Sequence, residues 1–316
     1  MRSIFLIIAL FFIFISFGCT GNTSEIDLEY RQGTKGIEIS FMQNMPPSEV
    51  YDNSPIDLVV EVRNSGAYPQ QSQRVTGWPI IITPSGRGTG TLYLDGFDDK
   101  IIMGMPRQIS IPSIYGKSPY NPEGGFDVVT FHGNVINLDS QGLEEYEAKF
   151  MVTSCYNYET VASQTVCIDP EPYSIKQSDK VCTIQESYSF SGGQGGPVGV
   201  TNVKENIYGD KIYFTIIISN LGNGRVVDKN KVNTECPYSL DYNNLNKVYV
   251  SGKISGYTLI CDQGGNVNLL NERGTVMCYI PKPSTARSAY TTPLQINLEY
   301  GYTSSITKSV KIINTP

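Results

Sequence analysis

Beyond residue 19 the chain runs in short stretches that alternate apolar and polar residues, broken by Gly, Pro, Asn and Ser. A period of two places apolar side chains on one face of a strand, and the longer period of an amphipathic helix is nearly absent. Ile56–Asp57–Leu58–Val59–Val60–Glu61–Val62 reads as a half-buried strand that ends at Asn64–Ser65–Gly66. Ile212–Tyr213–Phe214–Thr215–Ile216–Ile217–Ile218 repeats the design and ends at Asn220–Leu221–Gly222. A polar turn precedes each, at Tyr51–Pro55 and Tyr208–Lys211, and Asn and Gly suit the reversal because both tolerate positive φ.

A second echo follows. Tyr156–Asn157–Tyr158 leads to Thr165–Val166–Cys167–Ile168, and Tyr300–Gly301–Tyr302 leads to Ser309–Val310–Lys311–Ile312 at the same spacing. Each reads as a terminal β-hairpin with Tyr-x-Tyr on its first arm. Matched beginnings and ends predict two homologous units, residues 36–168 and 198–313, joined by a linker over 169–197.

The exception to the alternation is the start. After Met1–Arg2–Ser3, Ile4–Phe17 is almost wholly apolar, and Gly18–Cys19–Thr20 turns small and polar. A spanning helix needs about 20 apolar residues, so this shorter run reads as a signal peptide over 1–18. Ser16–Phe17–Gly18–Cys19 resembles a bacterial or archaeal lipobox, although Ser16 and Phe17 depart from that pattern. The resemblance implies a lipid on Cys19 and a polar spacer over 19–35. An uncleaved signal-anchor is the alternative, and either places the bulk of the chain outside the cytoplasm beside a membrane.

Composition narrows the partners. The formal charge is −6 and charged residues are 17% of the chain, which argues against nucleic acid, a ligand that calls for clustered Lys and Arg. With Cys19 set aside, Cys155, Cys167, Cys182, Cys236, Cys261 and Cys278 form an even set, as three disulfides in an exported chain would require. No CxxC occurs and His132 is the only histidine, so neither a metal nor any other cofactor is expected.

Gly36–Ile37–Glu38–Ile39–Ser40–Phe41, Pro47–Ser48–Glu49–Val50–Tyr51 and Val60 to Gly66 resemble the opening of CARDB-type domains, as do Val198–Val203 and Ile216–Gly222. The resemblance covers the first third of each unit. It implies an all-β fold of two tandem immunoglobulin-like sandwiches, with adhesion, assembly or spacer roles and no catalytic residues. On the hairpin reading, Cys155 would bridge Cys167 and Cys261 would bridge Cys278. Cys182 would then tie the linker to Cys236.

Each candidate site has a plain structural reading beside it. Asp95, Asp98 and Asp99 could gather around Ca²⁺, but without EF-hand spacing they read as a turn. Glu144, Glu145 and Glu147 could supply acid/base chemistry, yet neighbours on a strand point to opposite faces. His132 has no nucleophile elbow to serve, and Ser191–Gly192–Gly193–Gln194–Gly195–Gly196–Pro197 lacks the Lys and helix of a phosphate loop. Asn22–Thr23–Ser24 is a glycosylation sequon, and Tyr68, Trp78, Tyr115 and Tyr120 could form a binding surface. The expectation is a membrane-anchored, extracytoplasmic, non-enzymatic protein that meets protein or glycan partners at the cell surface. A β-sandwich carbohydrate-binding module or hydrolase, with two carboxylates in one cleft, and an edge-strand-pairing envelope chaperone are the alternatives.

Overall fold

The computed structural model describes residues 30–69, 90–172, 180–283 and 288–315. Among them the chain is nearly all β, and helix is confined to single turns such as α1 (Val232–Glu235). The centre of the fold is a pair of strands, β8 (Glu145–Ile168) and β18 (Tyr290–Ile313), each 24 residues long. They run antiparallel in unbroken register from Glu145 opposite Ile313 to Ile168 opposite Tyr290. At roughly 3.3 Å per residue each spans roughly 80 Å.

This replaces the two predicted terminal hairpins. No Gly, Pro, Asn or Asp lies between Tyr158 and Ile168, or between Tyr302 and Ile313, so the strongest turn formers are missing there. Burial instead keeps its period of two through Tyr156, Tyr158, Thr160 and Ala162. The two Tyr-x-Tyr motifs, 144 residues apart (300 − 156), therefore meet each other rather than fold back within their own units. Tyr156 stands opposite Tyr302, and Tyr158 opposite Tyr300.

Further strands extend this pair into a sheet of nine. β4 (Gly90–Asp95) and β6 (Gln108–Ser110) continue beyond β8, while β13 (Lys247–Ile254) and β14 (Tyr257–Thr258) continue beyond β18. β12 (Arg225–Val227) and β2 (Glu49–Tyr51) also pair with β18, and β16 (Asn266–Asn268) pairs with β13. A four-stranded sheet has the order β1 (Ile37–Phe41), β3 (Pro55–Asn64), β7 (Phe126–Val135), β5 (Ile102–Met103). A five-stranded sheet matches it: β15 (Ile260–Cys261), β17 (Arg273–Pro281), β11 (Lys211–Asn220), β10 (Val198–Tyr208), β9 (Tyr188–Ser189). β1 corresponds to β10 and β3 to β11, and only the second set carries the additional strand β9.

Both smaller sheets meet the tyrosine face of the central sheet. The Tyr156 hydroxyl bonds the backbone of Ile37 in β1, and the Tyr300 hydroxyl accepts from Val198 N in β10, each at 3.2 Å. The end of β18 serves the first unit. It pairs with β2, and Asp52 accepts from Thr315 N at 3.0 Å. Most apolar side chains of both units consequently join one core cluster.

The disulfides differ from expectation at two of three pairs. Cys261 bridges Cys278, as expected, across β15 and β17. Cys155 bridges Cys236 and Cys167 bridges Cys182. Cys155 and Cys167 are 12 residues apart (167 − 155) on one straight strand, or roughly 40 Å, far beyond the reach of a disulfide. The Cys155–Cys236 bond instead secures α1 to the other face of the central sheet, where Val227 and Val232 complete a small apolar cluster.

Within the predicted linker, the Gly-rich stretch is exposed at Ser191 and Gly192 and packs into the fold from Gln194 on. Gly195 N donates to Gly33 O, Ala67 N donates to Gly195 O, and Gln194 to Pro197 are buried. All six cysteines of the described residues are bonded, which places this part of the protein in an oxidising, extracytoplasmic environment. Among the described residues no helix is long and apolar enough to cross a membrane. Residues 1–18, read from sequence as a signal peptide, and Cys19, Asn22 and Trp78 lie outside the described residues.

Candidate functional site

The register of β8 and β18 sets Glu159 directly opposite Glu299. Both carboxylates line a cleft of about 440 Å³ with Asn157, Tyr68, Lys229 and Asn230. Lys229 follows β12, stacks its ammonium 4.1 Å from the centre of the Tyr249 ring, and reaches Glu299 at 2.5 Å. Among the described residues Glu159 has no salt bridge of this kind. Burial, then the facing charge of Glu299, pushes its carboxyl above the ordinary range, against the pull of Arg31 and Lys229.

The cleft thus holds one carboxylate neutralised by a lysine and one that is easier to protonate. The side-chain oxygen of Asn157 is buried without a hydrogen-bond partner. Such a set can hydrogen-bond hydroxyl or ammonium groups, and paired carboxylates are also the equipment of glycoside hydrolysis. Nothing local in sequence marks these residues. Glu159 and Glu299 are 140 positions apart (299 − 159), and only strand register brings them together.

The residues singled out from sequence are dispersed. Arg107 spans Asp95 and Asp99 at 3.9 and 2.7 Å, while Asp98 accepts from Lys100 N within its turn. Among the described residues no group of three or more His, Cys, Asp or Glu is placed to hold a metal. Glu145 pairs with Lys311 at the end of the central pair, and Glu144 O accepts from Asn314 N. His132 pairs with Asp57 at 2.8 Å across β7 and β3, with both side chains exposed. Tyr68 packs edge-on against Tyr158, Tyr115 is half-buried and Tyr120 is exposed.

More of the interior polar design lies around the tyrosines. Tyr156, Tyr158, Tyr300 and Tyr302 stack in tilted and edge-on pairs with ring centres 5.8 to 6.4 Å apart. Burial raises the pKa of each hydroxyl, and all four act as hydrogen-bonding ties. In the first unit Asn64 accepts from Tyr158 and Gly66 and donates to Tyr68 O. In the second, Asn220 accepts from Tyr302 and Gly222 and donates to Gly224 O. Asn-x-Gly is therefore a socket for a central-sheet tyrosine, and a Cβ at Gly66 would collide with the Tyr158 hydroxyl.

No family model matches the chain, and no curated protein matches it. Among solved structures, one titled "pT26-6p" aligns with 90% of this chain at 9% identity and a TM-score of 0.19. The match spans 65% of that structure's chain, and a likeness this slight carries no argument about fold or activity.

Proposed function

We propose that this is a membrane-anchored extracytoplasmic structural and interaction protein without catalytic activity, lipidated at Cys19 and held off the membrane by residues 19–35. Its two units, of the immunoglobulin-like and CARDB-type kind, act as one rigid body that displays surfaces to protein or glycan partners. The observation that supports this reading is the continuous β8–β18 pair. Two units that share paired strands of 24 residues cannot hinge freely, which suits display or assembly. Intact-mass measurement of protein from native membranes tests the anchor, with loss of residues 1–18 and an added lipid as the expected result. Crosslinked pull-down from intact envelopes tests the partner role. Cys19→Ser should release the protein to the medium and abolish recovery of envelope partners. Retention of residues 1–18 without lipid would remove the anchor claim.

The Glu159–Glu299 cleft favours a second reading, a glycan-binding or glycan-cleaving site. Hydrolysis of an envelope glycan that is lost in Glu159→Gln would support it over the first.

A further inference from the structure

The two units differ at one equivalent place, the outer edge of the first strand of each smaller sheet. Ile37 N and Val198 N both bond a central tyrosine hydroxyl, so Ile37 corresponds to Val198 and Ile39 to Val200. In β1, Gly36 O accepts from Ser65 N and Met42 N donates to Val59 O, so the even-numbered residues face β3. The backbone groups of Ile39 and Phe41 therefore point away from β3, toward the open edge.

The second unit fills this position with its own chain. Val200 N donates to the Gln194 side-chain oxygen at 3.0 Å, and the Gln194 amide donates to Val200 O at 3.1 Å. That carboxamide supplies one acceptor and one donor, as a peptide group of a neighbouring strand would. Phe190 N then donates to Thr201 O, β9 pairs with Asn202 and Val203, and Tyr188 is buried beside the edge. Around Ile39 and Phe41 no described residue does the same. A groove of about 270 Å³ lies there, with Ile39, Tyr156, Tyr302 and Ile306 among its lining and Leu221–Gly224 along one side.

We infer that the edge of β1 receives an extended peptide segment of a partner protein, added as a strand in the way β9 and Gln194 cover β10. A strand edge left unpaired by the described residues, beside a groove of mixed apolar and polar lining (Ile39 and Ile306 with Glu38 and Ser305), provides main-chain hydrogen bonds for affinity and pockets for alternate side chains. The groove selects apolar residues at alternate positions, facing Ile39 and Ile306. Lys308, 5.9 Å from the centre of the Phe41 ring, favours a carboxylate on the segment at that end. The inference rests on the interaction-protein reading and names the surface that does the work.

The test is amide hydrogen exchange on the full exported chain, with a synthetic peptide of residues 186–194 as the probe because that sequence covers the equivalent edge. Ile39 and Phe41 amides should exchange fast in the protein alone and slow by about tenfold or more with peptide. A peptide N-methylated at alternate residues should give no slowing. Unchanged exchange with the probe, or equal slowing by its N-methylated form, would overturn the inference. So would amides already protected in the isolated protein, whether at every concentration (cover by another segment of the same chain) or only at high concentration (cover by a second copy). Exchange at β1 reads the edge alone and the Cys19→Ser release reads the anchor alone, so either can fail without the other.

Discussion

The Tyr158 hydroxyl donates to Asn64 Oδ1 at 3.1 Å, and Tyr302 repeats the bond to Asn220 at 3.2 Å. Each joins a smaller sheet to the central one through a turn that sequence alone marks as a simple reversal. Tyr158→Phe removes the hydroxyl that also accepts from Tyr68 N, leaving buried groups unpaired. Chemical denaturation should show a loss of about 1–3 kcal/mol. Asn64→Ala should cost a similar amount, and the double variant should cost less than the sum because the two share one bond.

Glu205 in β10 is 3% exposed, and among the described residues neither carboxylate oxygen has a hydrogen-bond partner. Tyr188 lies close enough to temper the shift, yet burial still pushes the carboxyl from 4.5 up to about 8. Between those values the folded state holds a proton that the unfolded state has released. Stability should therefore be greatest near and below pH 4.5 in this group's contribution, and fall as pH rises toward 8. Thermal melts of Glu205→Gln should show that slope flattened, with the variant gaining on the parent most at pH 8 and above.

Replacing Cys155 and Cys236 together by Ala opens a loop of 81 residues. On the chain-entropy account the loss is about 4 kcal/mol, read as a lower Tm. α1 should also loosen from the central sheet, and faster exchange at Val232 would report it.

Glu159 faces Glu299 across the central pair. Glu159→Gln removes that repulsion and should stabilise the protein by roughly 0.2–1 kcal/mol at neutral pH. The raised Glu159 pKa means the parent loses stability as pH climbs through the carboxylate range, and the variant should lose less. Melting curves at pH 4 to 7 provide the comparison.

The all-β class was legible because alternation in segments such as Ile56–Val62 has one physical cause, a strand with one buried face. The recurring Asn-x-Gly and Tyr-x-Tyr motifs were legible too, and the structure seats Tyr158 on Asn64 and Tyr302 on Asn220. What misled was the echo of Tyr-x-Tyr followed by a short strand-like run, Thr165–Ile168 and Ser309–Ile312, which reads as two arms of a hairpin. The stretch after Tyr158 holds no Gly, Pro, Asn or Asp, and Thr160 and Ala162 keep the inward period. That single misreading carried the Cys155–Cys167 pairing with it. Glu159 and Glu299 were beyond reach, since their meeting depends on a register between strands 140 residues apart. The asymmetry at β1 was equally hidden, because it lies in what Gln194 does for Val200 and nothing described does for Ile39.

The central claim is that β8 and β18 each run straight and lock both units into one body. Non-reducing peptide mapping of the exported protein tests it most directly. The expected links are Cys155–Cys236, Cys167–Cys182 and Cys261–Cys278. A Cys155–Cys167 link would contradict it, because those residues can bridge only if β8 folds back on itself.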